Sequence, residues 1–141
     1  MSLHIRSFQD SDTAPVVRLW QACGLVRPWN DPHRDIARKM LVQPELFLVG
    51  TTGDEIVATV MAGYEGHRGW VNYLAVSPSC QGRGYGRVLM QRVEAMLLAV
   101  GCPKVNLQVR QGNVVAMAFY EAIGYAQDAS ISYGKRLIPD E

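Results

Sequence analysis

The stretch Leu74-Ala75-Val76-Ser77-Pro78-Ser79-Cys80-Gln81-Gly82-Arg83-Gly84-Tyr85-Gly86-Arg87 decides how this chain is read. It begins as an apolar strand, crosses a loop with three glycines in five positions, and ends at the start of an amphipathic helix. Glycines there let the backbone turn tightly and bring successive N–H groups toward an anion. The free N–H groups and positive dipole end of the following helix complete a phosphate site, and Arg83 and Arg87 can add charge-assisted contacts. The expectation is a pyrophosphate cradle, with a plain strand-to-helix turn as the alternative. Two common nucleotide fingerprints do not fit. A P-loop needs a Gly-Lys-Ser/Thr ending, which is absent. A Rossmann turn needs glycine or alanine where this chain has Arg87, or Leu89 if the reading starts at Gly84.

Outward from this stretch, hydrophobic period assigns the remaining elements. Residues 3–8 read as a strand. Asp10, Asp12 and Thr13 offer cap side chains to a helix over residues 16–23, with Pro15 in its first turn and Gly24 as its stop. Asp31-Pro32 opens a second helix to about Val42. Residues 46–51 and 56–64 form a hairpin about Thr52-Gly53-Asp54. Residues 70–76, almost continuously apolar, predict a strand buried on both faces. A helix over residues 86–100 places Leu89, Val93, Met96, Leu97 and Val100 on one face. Residues 105–109 alternate as a strand, Asn113 caps a helix ending before Gly124, and residues 125–127 and 131–137 supply a last pair of strands. The order is an α/β (α+β) arrangement about a mixed sheet.

The 141 residues and 15.7 kDa correspond to a single domain over 1–141. Fourteen basic residues against thirteen acidic give a formal charge of +1, so no global field favours nucleic acid or an anionic membrane. No apolar run is long enough to span a bilayer. Cys23, Cys80 and Cys102 form neither a disulfide framework nor a zinc knuckle, and no His/Cys/Asp cluster has metal spacing. A reducing, cytoplasmic setting and a metal-free protein are the expectations.

Gln81-x-x-Gly84-x-Gly86, following Leu74-Ala75-Val76, resembles the acetyl-CoA signature of the GNAT superfamily of N-acetyltransferases. Asn113-Val114-Val115-Ala116-Met117-Ala118-Phe119-Tyr120-Glu121-Ala122-Ile123-Gly124-Tyr125 is similar to the second motif of the same family. Residues 25–32 and 63–69 further resemble the YpeA-type bacterial members. The resemblance implies a GNAT fold, with a mixed central sheet of about seven strands flanked by about four helices. It implies acetyl-CoA as co-substrate, with an amine acceptor that is a small molecule or a protein N-terminus; it is compatible with a homodimer.

On this resemblance, Leu74, Ala75 and Val76 pair with the pantetheine arm as an added strand. Gln81, Gly82, Arg83, Gly84, Tyr85, Gly86 and Arg87 hold the pyrophosphate. Asn113 and Phe119 contact the cofactor, and Tyr120 protonates the departing thiolate. The attacking amine must also lose a proton, since an alkylamine has a pKa near 10.4. Positions where relatives carry carboxylates hold Gln108 and Asn72, and glutamine is no base. Glu65 and His67, in the turn before the central strand, are the candidate bases, with water as the alternative. Three readings follow: direct transfer in a ternary complex, a non-catalytic acyl-CoA sensor, and a protein N-terminal alanine acetyltransferase, which the two missing carboxylates disfavour.

Overall fold

A computed structural model describes residues 2–140. Two compact units divide it: one runs to Leu107 and takes in Asp140, and the other spans Gln108–Pro139. The first unit holds β1 (His4–Ser7), α1 (Thr13–Ala22), α2 (Pro32–Lys39), β2 (Phe47–Thr52), β3 (Glu55–Tyr64), β4 (Gly69–Val76), α3 (Tyr85–Ala99) and β5 (Val105–Leu107). The sheet runs in the order β1-β2-β3-β4-β5, antiparallel through β4, and β5 joins β4 in parallel. This is a mixed sheet, as the sequence predicts. The second unit contributes α4 (Val114–Ala122).

Local sequence sets most element boundaries. Gly53 takes φ +60° in the two-residue hairpin loop closed by the Thr52–Glu55 pair. Asp31 caps α2, its carboxylate accepting from His33 N at 2.9 Å and Arg34 N at 3.3 Å. Asp12, by contrast, makes no side-chain cap on α1. Its carboxylate accepts from Gln9 N and both terminal guanidinium nitrogens of Arg6, tying β1 to the helix start. That pairing holds the Asp12 carboxyl below the usual carboxylate range, chiefly through the Arg6 hydrogen bonds.

α1 and α2 pack on one face of the sheet around Trp20, Phe47, Phe8, Val16, Val49 and Ile36. Phe8 and Phe47 stack at 4.4 Å, and Trp20 lies against Phe47 at 6.1 Å. α3 packs against β2, β3 and β4, burying Leu89, Met90, Val93 and Leu97. Strand pleating then turns Leu48, Val60 and Ala62 to the face opposite Phe47, Val49 and Met61. Trp20 has no exposed surface, and truncating it to alanine is expected to cost about 3–5 kcal/mol.

Four sequence expectations are corrected. The sheet has five strands among the described residues, not about seven. Residues 125–127 and 131–137 form no ladder, and Ile131, Tyr133 and Leu137 remain solvent-exposed. On the face that Ile131, Tyr133 and Leu137 would share, Lys135 interrupts the apolar run, so no continuous strand face exists to bury. β5 stops at Leu107 instead of Val109. β4 is not buried on both faces: Trp70 and Asn72 are exposed, while Val71 and Ala75 are buried. No described helix is long and apolar enough to cross a membrane.

Candidate active site

β4 delivers the chain to the glycine loop, and its far end departs from regular geometry. Asn72 pairs with Met61 and Ala75 with Thr59, so Tyr73 and Leu74 together face the single residue Val60. This is a β-bulge. Tyr73 carries it with φ +52°, a left-handed conformation that costs a bulky L-residue about 1–3 kcal/mol and persists only where its surroundings impose it. Those surroundings are explicit. The Tyr73 ring stacks on Trp20 at 3.8 Å, and its carbonyl accepts from Thr59 Oγ1 at 2.9 Å. Thr59 in turn accepts from Trp20 Nε1 at 2.9 Å. The Tyr73 hydroxyl donates to Asp35 Oδ2 at 2.6 Å. Burial first, then the Asp35 carboxylate, pushes this phenol far above its ordinary value.

The parallel ladder to β5 covers only residues 69–71. Leu74, Ala75 and Val76 therefore lie beyond its last pair. Val76 O accepts from Gln81 Nε2 at 3.2 Å and from Cys23 Sγ at 3.3 Å, so Gln81 folds the loop back onto the strand end. Cys80 and Tyr85 are buried with Val57, anchoring the loop from beneath. The Tyr85 ring is therefore part of the loop's anchor. Between these anchors Gly82 takes φ +83° and Gly84 φ +81°, with open space where each Cβ would stand. Gly84 is the N-cap of α3 and has no side chain to close it; no acidic residue occupies the first turn. Arg83 and Arg87 are exposed and make no ion pair among the described residues. Orphan N–H groups, a positive helix end and two unpaired guanidinium groups are thus collected at one place.

Glu65 and His67 occupy the turn at the opposite end of β4. Glu65 Oε1 accepts from His67 N at 2.8 Å and Arg68 N at 2.5 Å. Those two backbone bonds, Arg68 first, hold the Glu65 carboxyl below the usual range, so it is a turn-closing carboxylate and a weakened base. The ring of His67 is exposed and makes no hydrogen bond among the described residues.

In the second unit, Asn113 caps α4, its Oδ1 accepting from Ala116 N at 3.1 Å, which leaves its amide N–H₂ as the end able to donate. Phe119 and Tyr120 meet edge to face at 5.0 Å, and Tyr120 meets Tyr125 at 5.8 Å. Burial pushes the Tyr120 phenol up to about 12. Gln108 donates its Nε2 to Ser132 Oγ, so it serves here as a polar tie.

An open crevice of about 560 Å³ between α1 and the β2–β3 hairpin is lined by Arg6, Arg18, Asp54, Glu55 and Ser77 among others, and by none of residues 81–87. Its charges are mixed in sign. No cluster of metal-ligating side chains occurs among the described residues. Sequence reasoning missed Tyr73, Asp35 and Thr59, because a tyrosine within an apolar run reads as an ordinary strand residue and its partners lie 38 and 14 positions away.

Residues 11–125 match the acetyltransferase (GNAT) family, a span that runs through both units. An acetyltransferase of Yersinia enterocolitica is 48% identical over 139 residues, 99% of each chain. Ard1 from Thermoplasma volcanium has the same fold, with a TM-score of 0.83 at 24% identity over 92% of this chain and 86% of its own. So has the ribosomal-protein-S18-alanine N-acetyltransferase of Escherichia coli, with a TM-score of 0.72 at 22% identity over 87% and 77%. A loop that gathers orphan amides and cations, the sequence match across both motifs and the shared fold lead to one conclusion: the chain belongs to the GNAT acetyltransferase family.

Proposed function

We propose that this protein transfers the acetyl group of acetyl-CoA to a primary amine by direct attack in a ternary complex, with residues 1–141 as a single catalytic domain. The observation that carries the cofactor reading is the start of α3: a helix with no cap, no acidic first turn and two unpaired arginines. Such a terminus is poorly stabilised alone and well matched to a diphosphate.

In this reading the backbone of residues 82–87, with Arg83 and Arg87, holds the diphosphate. Gln81 keeps the loop folded onto Val76. Leu74, Ala75 and Val76 extend hydrogen bonds to the pantetheine arm, and Asn113 and Phe119 contact the cofactor. The amine attacks the thioester carbonyl, the C–S bond breaks, and the thiolate departs. Tyr120, whose burial keeps it protonated over the working pH range, donates a hydrogen bond to that sulfur as charge develops. A phenol near 12 is a weaker acid than a thiol near 8.5, so it stabilises the nascent thiolate more readily than it hands over its proton outright.

The proton of the incoming ammonium goes to His67 through water. His67 stands seven residues before Leu74, about 23 Å along an extended strand at ~3.3 Å per residue, so it acts only at the far end of a chain of waters. Glu65, held by two backbone donors, is the poorer acceptor. His67→Ala should erase the pH-dependent limb of kcat/KM, whereas a retained limb assigns the role to bulk water.

The test is thiol release from acetyl-CoA with alkylamines and with an alanine-starting peptide, compared between the native protein and Tyr120→Phe. Acceptor-dependent release that drops about 100-fold in the variant, at unchanged acetyl-CoA affinity, supports the assignment. Acetyl-CoA binding without turnover on any amine instead supports the acyl-CoA sensor.

A further inference from the structure

The bulge in β4 shifts the phase of everything after it. With Tyr73 in the left-handed region, Ala75 and Val76 pair with Thr59 and Ala58. A regular ladder continuing from the Asn72–Met61 pair would instead oppose Tyr73 to Val60, Leu74 to Thr59 and Ala75 to Ala58. A slip of one residue moves the strand by about 3.3 Å and reverses which N–H and C=O groups of residues 74–76 face each side. The relaxed ladder would therefore offer the cofactor arm the wrong set of backbone groups.

Nothing in the identity of residue 73 favours the bulge, since tyrosine is a good strand residue and a poor left-handed one. What holds it is tertiary. α1 supplies the face of Trp20, β3 supplies Thr59 to the displaced carbonyl, and α2 supplies Asp35 to the hydroxyl. Of the three, the Asp35 bond is the shortest, at 2.6 Å, and reaches Tyr73 from the half-exposed side of α2, where Asp35 also meets Arg38 at 3.3 Å.

We propose that the Tyr73–Asp35 hydrogen bond is a register lock: it makes Tyr73 and Asp35 positioning residues that hold the β4 edge in the phase needed to pair with an acyl-pantetheine arm. The inference rests on the acetyl-CoA reading above and adds to it a residue pair from α2 and β4. It places the control of arm binding on a contact remote from the glycine loop, so the arm and the nucleotide are held by separable devices.

Two probes separate those devices: acetyl-CoA, and its nucleotide half alone, adenosine 3′-phosphate 5′-diphosphate, which lacks the arm. Calorimetric titration of Tyr73→Phe, which keeps the ring on Trp20, should show acetyl-CoA affinity reduced about five-fold to ten-fold with nucleotide affinity unchanged. Asp35→Ala should match it, Asp35→Asn should fall between because its amide oxygen still accepts, and the double variant should lose no more than either alone. If Tyr73→Phe does not fold, the half-exposed Asp35 pair of variants carries the same reading. Equal losses for both probes, no loss for either, or additive losses in the double variant would overturn the lock while leaving the cofactor reading intact. Failure of the native protein to bind either probe would overturn both.

Discussion

α2 and α3 begin in opposite ways. α2 closes its own N-terminus: Asp31 accepts from two backbone N–H groups, Pro32 removes a third donor, and Asp35 complements the dipole. α3 opens on Gly84 in a left-handed conformation, without a cap, and places Arg87 where the dipole disfavours a cation. Judged for stability alone, α3 forgoes a few tenths of a kcal/mol of capping and adds a dipole mismatch of about the same size. One helix start is closed by its own side chains, and the other is left open in the way the proposed diphosphate site requires. A local deficit in an otherwise well-packed helix therefore marks where a ligand belongs.

The sharpest way to break this comparison is Gly84→Val. Its Cβ meets no protein atom within 4 Å, so the fold should survive the strain of φ +81°. A branched side chain in the cradle should cut acetyl-CoA affinity by about 100-fold or more, since it displaces the chain from the geometry that aims the amides. Native affinity in a folded Gly84→Val protein would mean the diphosphate sits elsewhere. Arg87→Glu comes next and predicts opposite signs: acetyl-CoA affinity down about ten-fold, yet unfolding free energy up by about 0.5 kcal/mol, because an acidic residue suits a helix N-terminus. A loss of both would deny that the α3 start is unsatisfied.

Asp31→Ala turns the comparison around. Removing a working cap should cost about 1 kcal/mol in urea unfolding and leave acetyl-CoA affinity unchanged; an affinity loss would show that the cap also holds Asp35 in place against Tyr73. The smallest effect concerns α1, where Asp12 spends its carboxylate on Arg6 and Gln9. Its folded pKa is depressed below an unfolded value near 3.9, so its contribution to stability is full above about pH 4 and is lost as pH falls through the folded value. Urea midpoints at pH 6 and pH 3 should differ less in Asp12→Asn than in the native protein, and an unchanged difference would remove Asp12 from the acid response.

The legible parts of this molecule are those whose conformation one or two residues impose. Asp31-Pro32 announces the start of α2, Gly53 the β2–β3 hairpin, Asn113 the cap of α4, and Gly82 and Gly84 the positive-φ loop. The resemblance of residues 81–86 and 113–125 to the GNAT motifs rests on these same local demands. The β4 bulge left no such mark, because Tyr73 takes a conformation that its own chemistry opposes and that Trp20, Thr59 and Asp35 enforce from distant positions. Residues 131–137 misled in the other direction: apolar side chains at strand-like spacing predict a ladder, and they find none. Glu65 looked free in sequence because the backbone donors that occupy it are two and three residues away, and every turn supplies such donors.

The central claim is that the incomplete start of α3 receives the diphosphate of acetyl-CoA. Calorimetric titration of the native protein with acetyl-CoA, CoA and ATP tests it most directly. Saturable binding of acetyl-CoA and CoA is expected, with ATP bound more weakly because it lacks the pantetheine arm. Absence of acetyl-CoA binding, or ATP binding of equal strength, would contradict it.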